Sequence, residues 1–299
     1  RMRKRVVVKV FGERNTGTRT VLSMLGRMPH VSLRVPGAPP VEIDPALDAQ
    51  VRESLSGAWR RTYLHAIRDD LAVARAAIDP WKHAAPVLTP ALRAAGAHTI
   101  FLVRNPYSWF LSLARRPYHI KGPKAAGLEA FLVRPWMTER REGMPAVLPS
   151  PMDLWTEKLR AAEVYREEAA KAGLKVAVIA FEDLVEDNAA ALGAALDRLG
   201  VGRDGLRALS RNAKQGDPAP CVLAQAYREE RWRADLQKGV VDGLNRRVDW
   251  ALAARFGYTR LDPEAFPDQL SPTRRARILA EMSRLGGPVD RLRLDVDVA

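Results

Sequence analysis

The sequence predicts an α/β protein of three layers (α/β/α), with helices covering both faces of a central parallel sheet. Three observations lead there. Residues 6–11, 99–103 and 175–180 are short β-branched or continuously apolar runs, as strands buried on both faces require. A segment with apolar residues at helical spacing follows each of them. Strand-then-helix repetition of this kind builds parallel sheets through crossover connections. The 299 residues are 47% hydrophobic and 28% charged, enough for one sizeable core. We expect one main domain over residues 1–262 and a helical extension of the same domain over 263–299.

The elements are expected in the following order. A strand over 6–11 stops at Gly12, and a helix over 19–27 places Val21, Leu22 and Leu25 on one face. A weaker strand is expected near 78–82. The strand over 99–103 leads into a helix over 107–116, and a longer helix spans 152–172. The strand over 175–180 precedes a helix over 189–199 that stops at Gly200. A closing helix over 241–256 ends at Gly257, and a short one covers 272–284. Two proline-containing stretches, 35–48 and 117–151, read as loops, and the second is the candidate substrate lid.

The net charge of +13 and the isoelectric point near 10.3 call for an anionic ligand or partner. Nucleic acid, acidic polysaccharide, acidic lipid and a polyanionic cofactor all satisfy that charge. No helix-turn-helix, zinc-finger or aromatic RNA-binding pattern is evident, so nucleic acid is not expected. A single cysteine, Cys221, rules out a disulfide within the chain and leaves no basis for a thiolate metal site. No apolar run reaches the ~20 residues that cross a bilayer, and the basic start has too short an apolar stretch for a signal peptide. A soluble, cytoplasmic protein is expected.

The chemistry begins after the first strand, at Gly12-Glu13-Arg14-Asn15-Thr16-Gly17-Thr18-Arg19. The two glycines stand at the spacing of a nucleotide P-loop. Glycines permit the tight turn, and successive backbone N–H groups and the helix start then face an anion. The side chains differ from those of a nucleotide kinase. Thr18 stands at the lysine position and Arg19 at the metal-binding hydroxyl position. Mg-bound triphosphate would lose its main partners there, whereas Arg14, Arg19, Thr16 and Thr18 suit a metal-free phosphate–sulfate anhydride.

A second anion grip is expected at Arg104-Asn105-Pro106. Arg104 follows a buried strand, where open α/β sheets place their ligands. Pro106 suits the first position of the next helix, and Ser112 lies eight residues beyond Arg104. An arginine and a hydroxyl converging at this edge can hold a terminal phosphate.

These two motifs resemble the PAPS-dependent sulfotransferases, which have a P-loop-like fold. The resemblance spans roughly residues 5–260 and includes Phe181-Glu182-Asp183-Leu184 and Phe256-Gly257-Tyr258. It implies that Thr16, Gly17 and Thr18 grip the phosphosulfate of PAPS, and Arg14, Asn15 and Arg19 of the same loop are expected to bind the cofactor with them. It further implies that Arg104 and Ser112 bind the 3′-phosphate, with PAP as product and no metal. The family commonly places a His or Glu base after its second strand, and His83, 21 residues before Arg104, fits that interval. His83 is therefore the candidate general base, with His65 and His119 as rivals, and Lys82 and Arg14 are the cations for the bridging oxygen. The chain departs from the family at Asn15, where a lysine is common. Arg211 with Lys214, or Arg231 with Lys238, could add a further contact to the donor. Arg115, Arg116, Lys121, Lys124, Arg134, Arg140 and Arg141 hint at an acidic or saccharide acceptor. A P-loop-type nucleotide kinase or NTPase and a non-catalytic polyanion-binding protein are the alternatives.

Overall fold

A computed structural model describes residues 5–34, 44–54, 75–116, 125–209 and 219–284, together with 66, 69, 70, 72 and 73. The chain runs β1 (Val6–Gly12), α1 (Thr18–Leu25), β2 (Val31–Arg34), α2 (Pro45–Ser54), α3 (Pro90–Ala94), β3 (His98–Val103), α4 (Pro106–Arg115) and α5 (Leu128–Val133). It continues with β4 (Trp136–Met137), β5 (Val147–Leu148), α6 (Pro151–Lys171), β6 (Val176–Ala180), α7 (Phe181–Glu186), α8 (Asn188–Leu199) and α9 (Pro220–Arg228). The last elements are α10 (Lys238–Arg247), α11 (Trp250–Ala254) and α12 (Pro272–Arg284).

Four strands form a parallel sheet in the order β2-β1-β3-β6. Val8, Val10, Ile100, Leu102 and Ile179 face α1 and α8 through Val21, Met24, Leu25, Leu192 and Leu196. Phe11 and Phe101 face the opposite layer through Leu92, Tyr165 and Ala169. The α/β/α expectation is met, and the central pair matters most. Gly12 of β1 stands in register with Leu102 of β3, so both chains leave the sheet at the same edge. That shared exit is what can bring the first turn and Arg104 together.

Four local expectations need correction. Residues 78–82 form turns, not a strand. The reason is Lys9, wholly buried in β1, whose Nζ reaches Asp79 Oδ1 at 2.6 Å and the Pro80 carbonyl at 2.5 Å. The closing helix is two helices, because Asp249 starts α11 by accepting a hydrogen bond from the Leu252 backbone at 3.0 Å. Residues 45–48, read as loop, open α2; residues 35–43 lie outside the described part. The excursion over 117–151 is not a plain loop: residues 125–151 hold α5, the β4–β5 pair and a 3-10 turn, and bury Phe131, Leu132, Trp136 and Leu148.

Removing Lys9 alone would strand Asp79 beside an unpaired carbonyl. Lys9→Ala should therefore cost about 3–5 kcal/mol in denaturant unfolding, while a Lys9→Met, Asp79→Leu pair should recover most of that loss.

Candidate functional site

At the end of β1 the chain makes two left-handed residues, Asn15 at φ 65° and Gly17 at φ 87°. Glycine is demanded at 17 twice over, since a Cβ there would also lie 2.5 Å from Leu184 Cδ2. Gly17 caps α1, and no side chain satisfies the first amides of that helix. The Thr16 hydroxyl turns inward and donates to the Glu13 carbonyl at 2.6 Å. The Thr16 side chain holds the turn and does not border the cleft. Asn15, Gly17, Thr18 and Arg19 do border it, and so does Thr20, which the motif reading passed over.

Arg14 also lines the cleft, but its guanidinium is committed. It pairs with Glu13 at 2.9 Å and with Glu142, and rests on the Trp81 ring at 5.3 Å. Lys158 of α6 completes the group by reaching Glu13, Glu142 at 3.5 Å and the His83 carbonyl at 2.6 Å. All four charges are buried. The neighbouring Lys158 and Arg14 hold the Glu13 carboxyl down to about 2 against the opposing effect of burial. The carboxylates in turn raise Arg14, again against burial. Arg14 thus shapes the turn and is not a free cation for a bridging oxygen, as first expected. Neither Lys158 nor Glu142 belongs to a motif, so the network was not foreseen.

His83 lies in the cleft wall beside Lys82 and Trp81. Its Nδ1 meets the Gly12 carbonyl at 2.6 Å. A carbonyl only accepts, so Nδ1 holds the proton and Nε2 is left with its lone pair. Burial pushes the imidazole down to about 3; Glu13 and the Gly12 carbonyl oppose the fall, while Arg14 and Lys82 add to it. The ring is therefore neutral at ordinary pH. Burial, then the charge of Arg19, also lowers Lys82. His65 and His119 lie outside the described residues.

Arg104 leaves β3 and turns back on the first turn. Its Nη1 donates to the Asn15 carbonyl at 2.6 Å, its Nε to Ser108 Oγ at 3.0 Å, and its Nη2 to the Tyr227 hydroxyl. The Phe181 ring covers it at 4.3 Å. Asn105 caps α4 by accepting from the Tyr107 and Ser108 amides at 3.0 and 3.4 Å, and Pro106 begins the helix. Ser112 follows one turn after Ser108 and borders the same cleft. Glu182 ties two weaker sequence signals together. It accepts from the Asn105 amide at 3.1 Å and from the Tyr258 hydroxyl at 3.2 Å.

The cleft has a volume of about 820 Å³. Its described lining holds nine basic residues and one carboxylate, Asp235. Arg115, Arg116 and Arg231 line it, while Lys238 pairs with Glu264 at 2.7 Å outside it. Arg140 pairs with Asp70, and Arg141 lies 4.0 Å over Trp81 and near Asp69. Neither they nor any other described residue of 125–151 borders the cleft. Lys121, Lys124, Arg211 and Lys214 fall outside the described residues. Tyr227, Arg274 and Arg277 were missed because each reaches the cleft from an element carrying no phosphate-binding spacing, while Ser108, inside the Arg104–Ser112 interval, and Phe181, in a weaker signal, were not singled out as site residues. Among the described residues no His, Cys, Asp and Glu cluster could hold a metal ion. None of their helices is long and apolar enough to cross a membrane.

No family model matches the chain, and no curated protein does. Among solved structures, it is similar to the sulfotransferase domain of an olefin synthase from Synechococcus PCC 7002. That likeness has 16% identity and a TM-score of 0.34, over 87% of this chain and 98% of that one. A likeness at that level bears on neither reaction nor ligand.

The depressed imidazole fixes a pH dependence. Between its ordinary value of 6.5 and about 3, the unfolded chain binds a proton at His83 that the folded chain refuses. Stability is thus lost as pH falls through this window. Glu13 adds its own loss only between 4.5 and about 2. His83→Gln should therefore flatten the slope of unfolding free energy above the Glu13 window, by up to about 1.4 kcal/mol per pH unit. An unchanged slope would reject the neutral, part-buried imidazole.

Proposed function

We propose that the chain is a sulfotransferase that moves a sulfuryl group from PAPS to a hydroxyl or amine of a small-molecule or saccharide acceptor, releasing PAP. One observation supports this above the others. The Arg104 guanidinium meets the Asn15 carbonyl at 2.6 Å, so both anion grips open into one cleft. A strongly cationic cleft with a free helix start fits a doubly anionic nucleotide. The threonine and arginine at the P-loop lysine and hydroxyl positions do not fit Mg-bound triphosphate.

In this reading the amides of the first turn and the Thr18 hydroxyl hold the phosphosulfate. Arg104 and Ser112 hold the 3′-phosphate, whose oxygens replace the Tyr227 hydroxyl on Nη2. The acceptor enters beside His83; the ring is held at about 3 in the free protein, the negative charge of the bound donor raises its basicity, and Nε2 then takes the acceptor's proton as the new oxygen–sulfur or nitrogen–sulfur bond forms. Lys82, with Arg19 next to it, neutralises the bridging oxygen that leaves with the electrons of the broken bond. Arg14 keeps the turn in shape.

Thermal shift separates this reading from its rivals. Adenosine 3′,5′-bisphosphate should raise the unfolding midpoint, and ATP-Mg should not; the reverse would favour a kinase. With PAPS and an accepted hydroxyl, His83→Ala should lower turnover by about 10²-fold or more, with bisphosphate binding nearly unchanged. Ser112→Ala should weaken bisphosphate binding by about 1.5–3 kcal/mol. Equal loss of binding and turnover in His83→Ala would reject its role as base.

A further inference from the structure

The far wall of the cleft has a charge arrangement that the chemistry at the first turn does not use. Arg115 from α4 and Arg274 and Arg277 from α12 converge on Asp235. Arg277 Nη2 lies 2.5 Å and Arg274 Nε 3.7 Å from Asp235 Oδ1, and Arg115 Nη2 pairs with Oδ2. Asp235 is only 6% exposed. Glu281, on the same helix, adds a second carboxylate at 2.7 Å from Arg115 Nε and 3.8 Å from Arg277 Nε. Three guanidiniums therefore face two carboxylates.

The donors are in excess as well. Each guanidinium has five N–H groups, and a carboxylate accepts about four hydrogen bonds. The three arginines and Asp235 all line the cleft, with Ser112 one turn before Arg115 and Arg116. The wall is also fixed, since α12 buries Ile278 and Met282 in the main core. A preset cluster with surplus charge and surplus donors is matched by a compact anion with several acceptor oxygens.

We propose that Arg115, Arg274 and Arg277, held in place by Asp235, form an oxyanion site that takes a phosphate or sulfate group of a ligand lying in the cleft. The C-terminal helix is then part of the binding machinery. The source of that group is either the second phosphate of the nucleotide, which rests on the sulfotransferase reading above, or an acidic group on another ligand.

The test compares the wild type with Arg274→Gln/Arg277→Gln, both exposed enough to replace without opening the core. Arg203→Gln/Arg246→Gln removes the same charge from remote exposed ion pairs. Binding of AMP and of adenosine 3′,5′-bisphosphate is measured by calorimetry, and inorganic sulfate is scored by its effect on the unfolding midpoint. We expect the bisphosphate dissociation constant to rise about tenfold or more in the first variant, with AMP unchanged; that result assigns the site to the nucleotide. Unchanged bisphosphate binding with loss of the sulfate effect supports the site and assigns it to an oxyanion from another ligand. The proposal is overturned if neither response changes, if AMP weakens in step, or if the remote variant behaves alike. Failure of the wild type to bind either nucleotide would reject the sulfotransferase reading, and the sulfate arm alone would then judge this site.

Discussion

Four buried charges hold the centre of this molecule: Glu13 and Arg14 in the first turn, Glu142 in the excursion after β4, and Lys158 on α6. Two acids and two bases leave no net charge, which is the condition for keeping them out of water at all. Their geometry does more than balance. They come from three segments that the sheet alone would not tie together, and Lys158 extends the tie to the His83 carbonyl. With Gly12 joined to Lys82 by its amide at 2.9 Å and to His83 by its carbonyl, the turn and the residue-83 loop are tied together. An anion arriving at the turn meets a shape already set by the protein's own ions.

The contrast with the cleft surface follows from this. Beneath the turn, every cation has its carboxylate. Along the cleft, cations outnumber carboxylates heavily, and neutral groups occupy the best of them. Arg104 is turned to a carbonyl, two hydroxyls and an aromatic face. Those partners hold the guanidinium in position without cancelling its charge. A carboxylate in the place of Tyr227 would have spent the field that an anionic ligand needs.

The sheet was legible because its strands are short apolar runs and its turns contain glycine where left-handed backbone is needed. The same local logic revealed the first turn and the Arg104–Ser112 pair, each a motif within a dozen residues. Legibility failed where distant segments decide the outcome. Lys9 interrupts an apolar strand pattern and looks solvent-facing, yet it is buried against Asp79, seventy positions away, and by holding that segment in turns it excludes the expected strand. Lys158 sits among ordinary polar positions of a long helix, and only its approach to Glu13 gives it meaning. Arg14 misled for the complementary reason: a cation in a phosphate-type turn reads as a ligand contact until its two carboxylates are known. The C-terminal helix had recognisable spacing but no clue to its place, since its arginines matter only because Ile278 and Met282 dock it beside α4.

Asn15 shows how a departure from a motif can be read physically. Its backbone is left-handed at φ 65°, a conformation asparagine tolerates better than most residues, and its carbonyl is the acceptor for Arg104. The position thus supplies geometry that joins the first turn to Arg104, while in the proposed sulfotransferase reading the charge a lysine would bring has to come from elsewhere. Lys82 and Arg19 are the available pair. Lys82 is lowered by burial and by the charge of Arg19. Two like charges held near each other repel. They are relieved when negative charge appears beside them, and a bridging oxygen that gains charge as its bond breaks would be relieved most in the transition state. In the proposed sulfotransferase reading, the neutral residue in the turn is consistent with that chemistry, because the cations sit beside the turn, on Lys82 and Arg19.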